Sequence, residues 1–223
     1  MRLIATFLLL LSALAAQNAK VRVRAVTGGH DYEPSFYKLI DGHPELEVMV
    51  RPHPTAFNDN FIRYVDVLLL YDSVQTLPEE QKARLAKFVE SGKGIVILHH
   101  ALVDFADWEW WWKEVMGGLY DLKVSKYLHD VDMTVTPKGD HPIVAGLKPF
   151  QIHDETYKHL RIEPTNQILL TTDHPTSDGP VAWISAYKKS RVVVIQLGHG
   201  REAHENPVLR EILRRAILWS AGK

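Results

Sequence analysis

Between residues 20 and 223 the chain alternates short apolar runs with stretches of helical periodicity. VRVRAVT (21–27) reads as a first strand and PSFYKLIDGH as a short helix ending near Gly42. ELEVMVR follows as a second strand. YVDVLLLYD (64–72) is a continuous apolar run, as expected of a strand covered on both faces. The next helix carries start and stop signals: Thr76 and Glu79 fit a capping box, Pro78 falls in the first turn, and Gly92 closes the end. Its Leu85, Phe88 and Val89 recur at the spacing of an inward face. GIVILHH (94–100) is a central strand ending in two histidines, and WEWWWKEVMGG reads as another helix. LKVSKYLHDVDMTVTP suggests a longer strand or strand pair, 139–147 a loop, and FQIHDETYK and ILLTT short strands. PVAWISAYKKSRVVVIQLGHG reads as a hairpin turning near Lys188 to Ser190. The last helix, NPVLREILRRAILWSAG, has one stripe of Val208, Leu209, Ile212, Leu213, Ala216 and Ile217. Strands alternating with helices predict an α/β fold, a three-layer, doubly wound and mostly parallel sheet of the flavodoxin-like kind.

The first residues break this rhythm. Arg2, an apolar run from Leu3 to Leu14 and small residues after it have the order of a secretory signal. The run is about 12 residues where a membrane span needs ~20. A cut after Ala15 satisfies the small-x-small pattern, with Ala16 the alternative, so residues 1–16 are assigned to the signal and 17–223 to one domain. A periplasmic or secreted protein with no membrane attachment after cleavage is the expectation. The sequence contains no cysteine, which removes thiol nucleophiles, disulfides and thiolate metal sites. With 26 basic and 27 acidic residues interspersed there is no basic face for nucleic acid.

In open parallel sheets ligands bind at the carboxyl ends of the strands. There the sequence places His30 and Asp31 after the first strand, Asp72 after the third, His99, His100 and Asp104 after the fourth, and His199 after the last central strand. Gly28 and Gly29 would let the chain turn so that His30 reaches the same point. Neighbouring residues on a strand face opposite ways, so one of the two adjacent histidines serves the site; His100 is preferred, with His99 packed or hydrogen-bonded. By the same alternation His153 and Glu155 share a face and Asp154 points away. Tyr32, Asp31, Asp104 and Trp108 are candidate substrate contacts, and Trp108 is the ring nearest a strand end. His129 and His204 read as surface residues. Imidazoles with a carboxylate suit a divalent transition metal such as zinc, with His30, His100, His153, Glu155 and His199 as ligands. Metal-free acid–base work by His30, His100, Glu155 and His199 fits the same residues, and the spacing does not separate the two. No nucleotide cofactor is indicated.

The segments VTGGHDY, LPEEQKARLAKFVESGKGIVILHHAL, HPIVAGL, HDETY and PVAWISAYKKSRVVVIQLGHG, in that order, resemble the ThuA-like (trehalose utilisation) proteins. The fold of that family is similar to class I glutamine amidotransferases. The resemblance implies catabolism of trehalose and related disaccharides, beside a sugar oxidoreductase that makes 3-keto sugars. Where the amidotransferases carry a nucleophilic cysteine this chain has LHHAL, so glutamine hydrolysis through a thioester is excluded. The expectation is an exported sugar-active hydrolase, lyase or isomerase acting on a disaccharide, glycoside or 3-keto-sugar derivative. A non-catalytic carbohydrate-binding module on the same fold is the alternative, and a homo-oligomer is left open.

Overall fold

The computed structural model describes residues 19–223, so the expected signal segment lies outside the described residues. In chain order the elements are β1 (Val21–Gly28), α1 (Tyr37–Ile40), β2 (Leu46–Pro52), β3 (Val67–Asp72), α2 (Glu79–Glu90) and β4 (Gly94–Leu98). A 3-10 turn (His99–Val103) and a π-helical turn (Trp110–Val115) follow, then β5 (Gly118–Leu119), β6 (Lys126–Pro137) and β7 (Phe150–Lys158). The chain ends with β8 (Arg161–Ile162), β9 (Gln167–Thr172), β10 (Pro180–Ile184), β11 (Val192–Ile195), α3 (Arg201–Glu205) and α4 (Pro207–Ser220).

Nine strands form one sheet in the order β2-β1-β3-β4-β11-β10-β9-β6-β7. The pairs among β2, β1, β3, β4 and β11 are all parallel. Their order is the 2-1-3-4-5 arrangement of flavodoxin-like folds, with its switch point between β1 and β3. The pairs from β11 through β10, β9 and β6 to β7 are antiparallel, so the sheet is mixed rather than parallel throughout. That extension begins with the predicted hairpin, β10 and β11.

The uninterrupted apolar runs are explained by helices on both faces. Val67 and Leu69 of β3, Val96 and Leu98 of β4 and Val193 and Ile195 of β11 enter one core with α4 residues Leu209, Ile212, Leu213, Ala216 and Ile217. Their neighbours Leu68, Leu70, Ile95, Ile97, Val192 and Val194 enter the other, against Leu85, Phe88 and Val89 of α2. With two covered faces, no polar phase survives in the strand pattern.

Two local expectations are corrected. The helix from Glu79 has Pro78 at its cap, with no side-chain capping bond, so the capping box of Thr76 and Glu79 does not form. A proline cap has no acceptor side chain to offer the first amides. The tryptophan stretch forms only the π-helical turn, with Trp111 fully buried, because the ring packs into the second core rather than along a helix stripe.

Candidate functional site

The site is built from the two halves of the sheet. His30 leaves β1 through Gly28 and Gly29, whose φ values of 105° and 77° only glycine adopts freely. The second glycine is enforced further, since a Cβ on Gly29 would lie 2.1 Å from the Ser73 carbonyl oxygen. At the end of β4, His99 takes a left-handed φ of 49°. This turn brings both adjacent rings to the site, where the sequence led us to expect only His100: their centroids are 4.2 Å apart, with His99 fully buried and His100 stacked on His30 at 4.4 Å and 21° between planes. After β11, Gly198 has φ 122° and hands the chain to His199.

β7 stands four places from β11 in the sheet, yet its residues return to the β11 end. The buried Asp154 carboxylate accepts the Gly198 N–H at 2.7 Å on Oδ2, and the His199 and Glu155 N–H groups at 2.9 and 2.8 Å on Oδ1. The sheet therefore curls back, and one carboxylate ties the histidine turn to the strand that carries Glu155. Far from pointing away, Asp154 is the fastening of the site.

Glu155 lies opposite a bulge, since Leu128 pairs with Thr156 and Val131 with Asp154, leaving His129 and Asp130 facing one residue. Asp130 has a left-handed φ of 56°, and the bulge swings His129 onto the Glu155 carboxylate. His153, two residues before Glu155 on β7, lies outside that bulge and bonds its cross-strand partner Asp132 at 2.8 Å on the exposed side. His153 is thus not among the converging donors. Asp104 also lies apart, fully buried against Asp72 and the Val74 N–H, and Trp108 packs on Trp110 and Trp111 at the second core. Asp31 is exposed beside His30, whose ring meets its carbonyl, and Tyr32 packs edge-on to Tyr71.

The residues brought together are His30, His99, His100, His129, Glu155 and His199. His99 Nδ1 donates to the Gln196 carbonyl at 2.8 Å, leaving its Nε2 lone pair toward His199 Nδ1 at 3.1 Å and Glu155 Oε2 at 3.4 Å. His199 Nδ1 stands 3.3 Å from Glu155 Oε1. Tyr157, buried beneath, donates to Glu155 and lies 3.3 Å from His99 Nε2.

Burial sets the charge states. It lowers His99 well below the usual imidazole value and His100 to about 3, with neighbouring histidines adding to both shifts. His199 is lowered by burial and then by His129. Glu155 is raised to about 7 by burial, against the Tyr157 hydrogen bond, and Asp154 to about 6 by burial, against its three backbone bonds. Near neutral pH His99, His100 and His199 are uncharged, and Glu155 offers one carboxyl that exchanges its proton readily.

Two donor sets, His99–His100–His199 and His129–Glu155–His199, each bring three ligand atoms within 4.8 Å of one another. They share His199 and so describe one basket. Four ligands at ~2.1 Å in a tetrahedron stand about 3.4 Å apart. His99 Nε2 and His199 Nδ1 at 3.1 Å, and His199 Nδ1 and Glu155 Oε1 at 3.3 Å, lie close to that spacing, while His99 Nε2 faces the other Glu155 oxygen, Oε2, at 3.4 Å. Sequence reasoning missed His129, whose reach depends on the bulge, and His204, which is buried and bonds Tyr71 at 3.0 Å and Ser35 at 2.8 Å. Two adjacent bulge residues, His129 and Asp130, were the available signal, because aspartate tolerates a left-handed φ.

Fold and site together define an α/β protein of flavodoxin-like strand order with a histidine–carboxylate cluster at the carboxyl edge of its parallel half. The chain belongs to the ThuA family, trehalose utilisation, whose model matches residues 20–220. It is similar in structure to a ThuA-like protein of Parabacteroides merdae, with a TM-score of 0.79 at 20% identity over 92% of this chain and 91% of that one. A ThuA-like protein of Bacteroides uniformis superposes with a TM-score of 0.67 at 16% identity, covering 91% of this chain and 92% of that one. The cold-adapted β-galactosidase of a Rahnella species matches with a TM-score of 0.60 at 13% identity, over 88% of this chain but 31% of that longer one. Among curated proteins, no sequence matches this chain.

Proposed function

We propose that the protein is an exported sugar-active enzyme acting on a disaccharide, glycoside or 3-keto-sugar derivative, with a divalent transition metal held by the histidine–carboxylate basket. Family membership supports the substrate class. The observation that carries the chemistry is the meeting of two donor sets, His99–His100–His199 and His129–Glu155–His199, at the shared His199, each with its ligand atoms within 4.8 Å of one another. Such an ion, when bound, polarises a carbonyl or acidifies water.

The protein residues then have separate tasks. The Gln196 carbonyl fixes the His99 tautomer, so that Nε2 keeps a free lone pair. Asp154 holds His199 and Glu155 beside each other by accepting both of their amides on one oxygen. Glu155 would give its carboxylate to the ion; in the metal-free chain the same carboxyl, raised to about 7 by burial, can take and return a proton. His30 and His100, stacked at the outer side, present polar ring edges to sugar hydroxyls. Among the described residues no helix is long and apolar enough to cross a membrane.

Elemental analysis of the purified chain, refilled with zinc, manganese, cobalt or nickel and compared with its chelated form, tests the reading. About one equivalent of metal is expected. It should be lost in a folded His199→Ala variant, with loss of sugar turnover. A refilled chain without metal refutes the metal-assisted chemistry, and sugar binding that survives chelation without turnover would establish a binding module instead.

A further inference from the structure

The carboxyl edge holds a second titratable group that the proposed chemistry does not use. Asp72 closes β3 at the switch point, and Asp104 follows the 3-10 turn that carries His100; their exposures are 1% and 0%. Asp104 Oδ1 accepts the Val74 N–H at 2.7 Å, and Asp72 Oδ2 meets His53 Nε2 at 2.7 Å. The other two oxygens, Asp72 Oδ1 and Asp104 Oδ2, are buried and receive no hydrogen from any other described group. The two carboxyls are within hydrogen-bond reach of each other. If both were ionised, two like charges would face each other in a dry pocket with two acceptors unsatisfied, an arrangement proteins avoid. A single proton between them satisfies both.

We propose that Asp72 and Asp104 share one proton, and that this carboxyl–carboxylate hydrogen bond latches the end of β3 to the turn carrying His100, making both aspartates positioning residues for the edge of the site. The surrounding bonds follow the same seam. The Phe105 N–H donates to the Val74 carbonyl at 2.8 Å, and Gln75 Nε2 donates to the Val103 carbonyl at 3.2 Å. Phe105 itself has a left-handed φ of 54°, a conformation that needs such fastening. The groups facing the pair are His53 from the loop after β2, the Val74 amide after β3, and the uncharged Gly28 backbone of β1 against His53. No described lysine or arginine hydrogen-bonds either carboxyl. Burial first, and then the Asp72 charge, holds Asp104 well above the ordinary carboxyl range. The folded chain thus keeps a proton that the unfolded chain releases. The latch is complete below the ordinary aspartate value of ~3.9 and is lost as pH rises through the folded value.

The test uses the metal-free full chain, so it stands apart from the metal reading. Infrared spectra of wild type, Asp104→Asn and Asp72→Asn are compared at a pH of about 6, where an ordinary aspartate is ionised. Wild type minus either variant should leave a protonated-carboxyl stretch, because the asparagine amide supplies the hydrogen and no shared proton remains. Hydrogen exchange adds the positional readout. Protection of the Val74 N–H should fall in wild type as pH rises beyond the carboxyl titration, and should stay constant in Asp104→Asn. If one variant fails to fold, the other gives the same subtraction. A difference spectrum without the carboxyl stretch would overturn the shared proton. Identical pH dependence of Val74 exchange in wild type and Asp104→Asn would overturn the latch.

Discussion

Asp154→Asn separates the two forces acting on the fastening carboxylate. The variant can keep its oxygen where Oδ1 accepts the His199 and Glu155 amides, but its Nδ2 then faces the Gly198 N–H across the present 2.7 Å contact. One hydrogen bond to a charged group is lost, at about 1.5–3 kcal/mol, and two others become neutral, at roughly 0.5–1 kcal/mol each. Against this, the wild-type carboxylate is buried without a countercharge, and its rise to about 6 from 3.8 corresponds to ~3 kcal/mol of disfavoured ionisation above pH 6. The net loss near neutral pH is therefore small, about 0–2 kcal/mol. Because the folded value is raised, the wild-type term is present at low pH and disappears as pH rises through about 6. Acidification from pH ~7.5 to ~4.5 should then widen the gap between wild type and variant by about 2 kcal/mol. Urea unfolding of both chains at the two pH values measures it. A gap that stays constant, or narrows on acidification, would mean that the three amides hold Asp154 ionised throughout and that burial does not dominate.

Gly29→Ala should cost more than ~3 kcal/mol, because its Cβ would meet the Ser73 carbonyl at 2.1 Å with φ at 77°; a thermal shift of only a degree or two would contradict that packing. Asn206 accepts the Val208 and Leu209 amides at the start of α4, so Asn206→Ala should lower stability by ~1 kcal/mol. Thr76→Ala should stay within about 0.5 kcal/mol, since α2 uses no side-chain cap; equal losses in denaturant titrations of the two variants would refute this assignment of caps.

The parallel half of the fold was legible in the sequence because its signals are local. A run such as VLLLYD needs no partner to announce that both faces are covered, and Gly28, Gly29 and the paired histidines mark where β1 and β4 end. His30, His100 and His199 could therefore be placed at one edge from strand order alone. What sequence reasoning lost depends on contacts between distant segments. Alternation on β7 marks His153 and Glu155 alike, but only Glu155 lies where the β6 bulge brings in His129, whereas His153 pairs with Asp132 outside the cluster. Asp104 looked like a ligand contact because it follows a site histidine, and only the fold shows it buried against Asp72. The same distinction bears on which substitutions would rebuild the site. Restoring a histidine at a strand end returns a donor atom, whereas the meeting of Glu155 and His199 depends on Asp154 holding amides from β7 and from the turn after β11. A related chain with all the histidines but no acceptor at that position should fold with its donor atoms apart; under the proposed metal chemistry, Asp154→Ala should fold yet take up less zinc than wild type when refilled, and equal uptake would refute this role of Asp154.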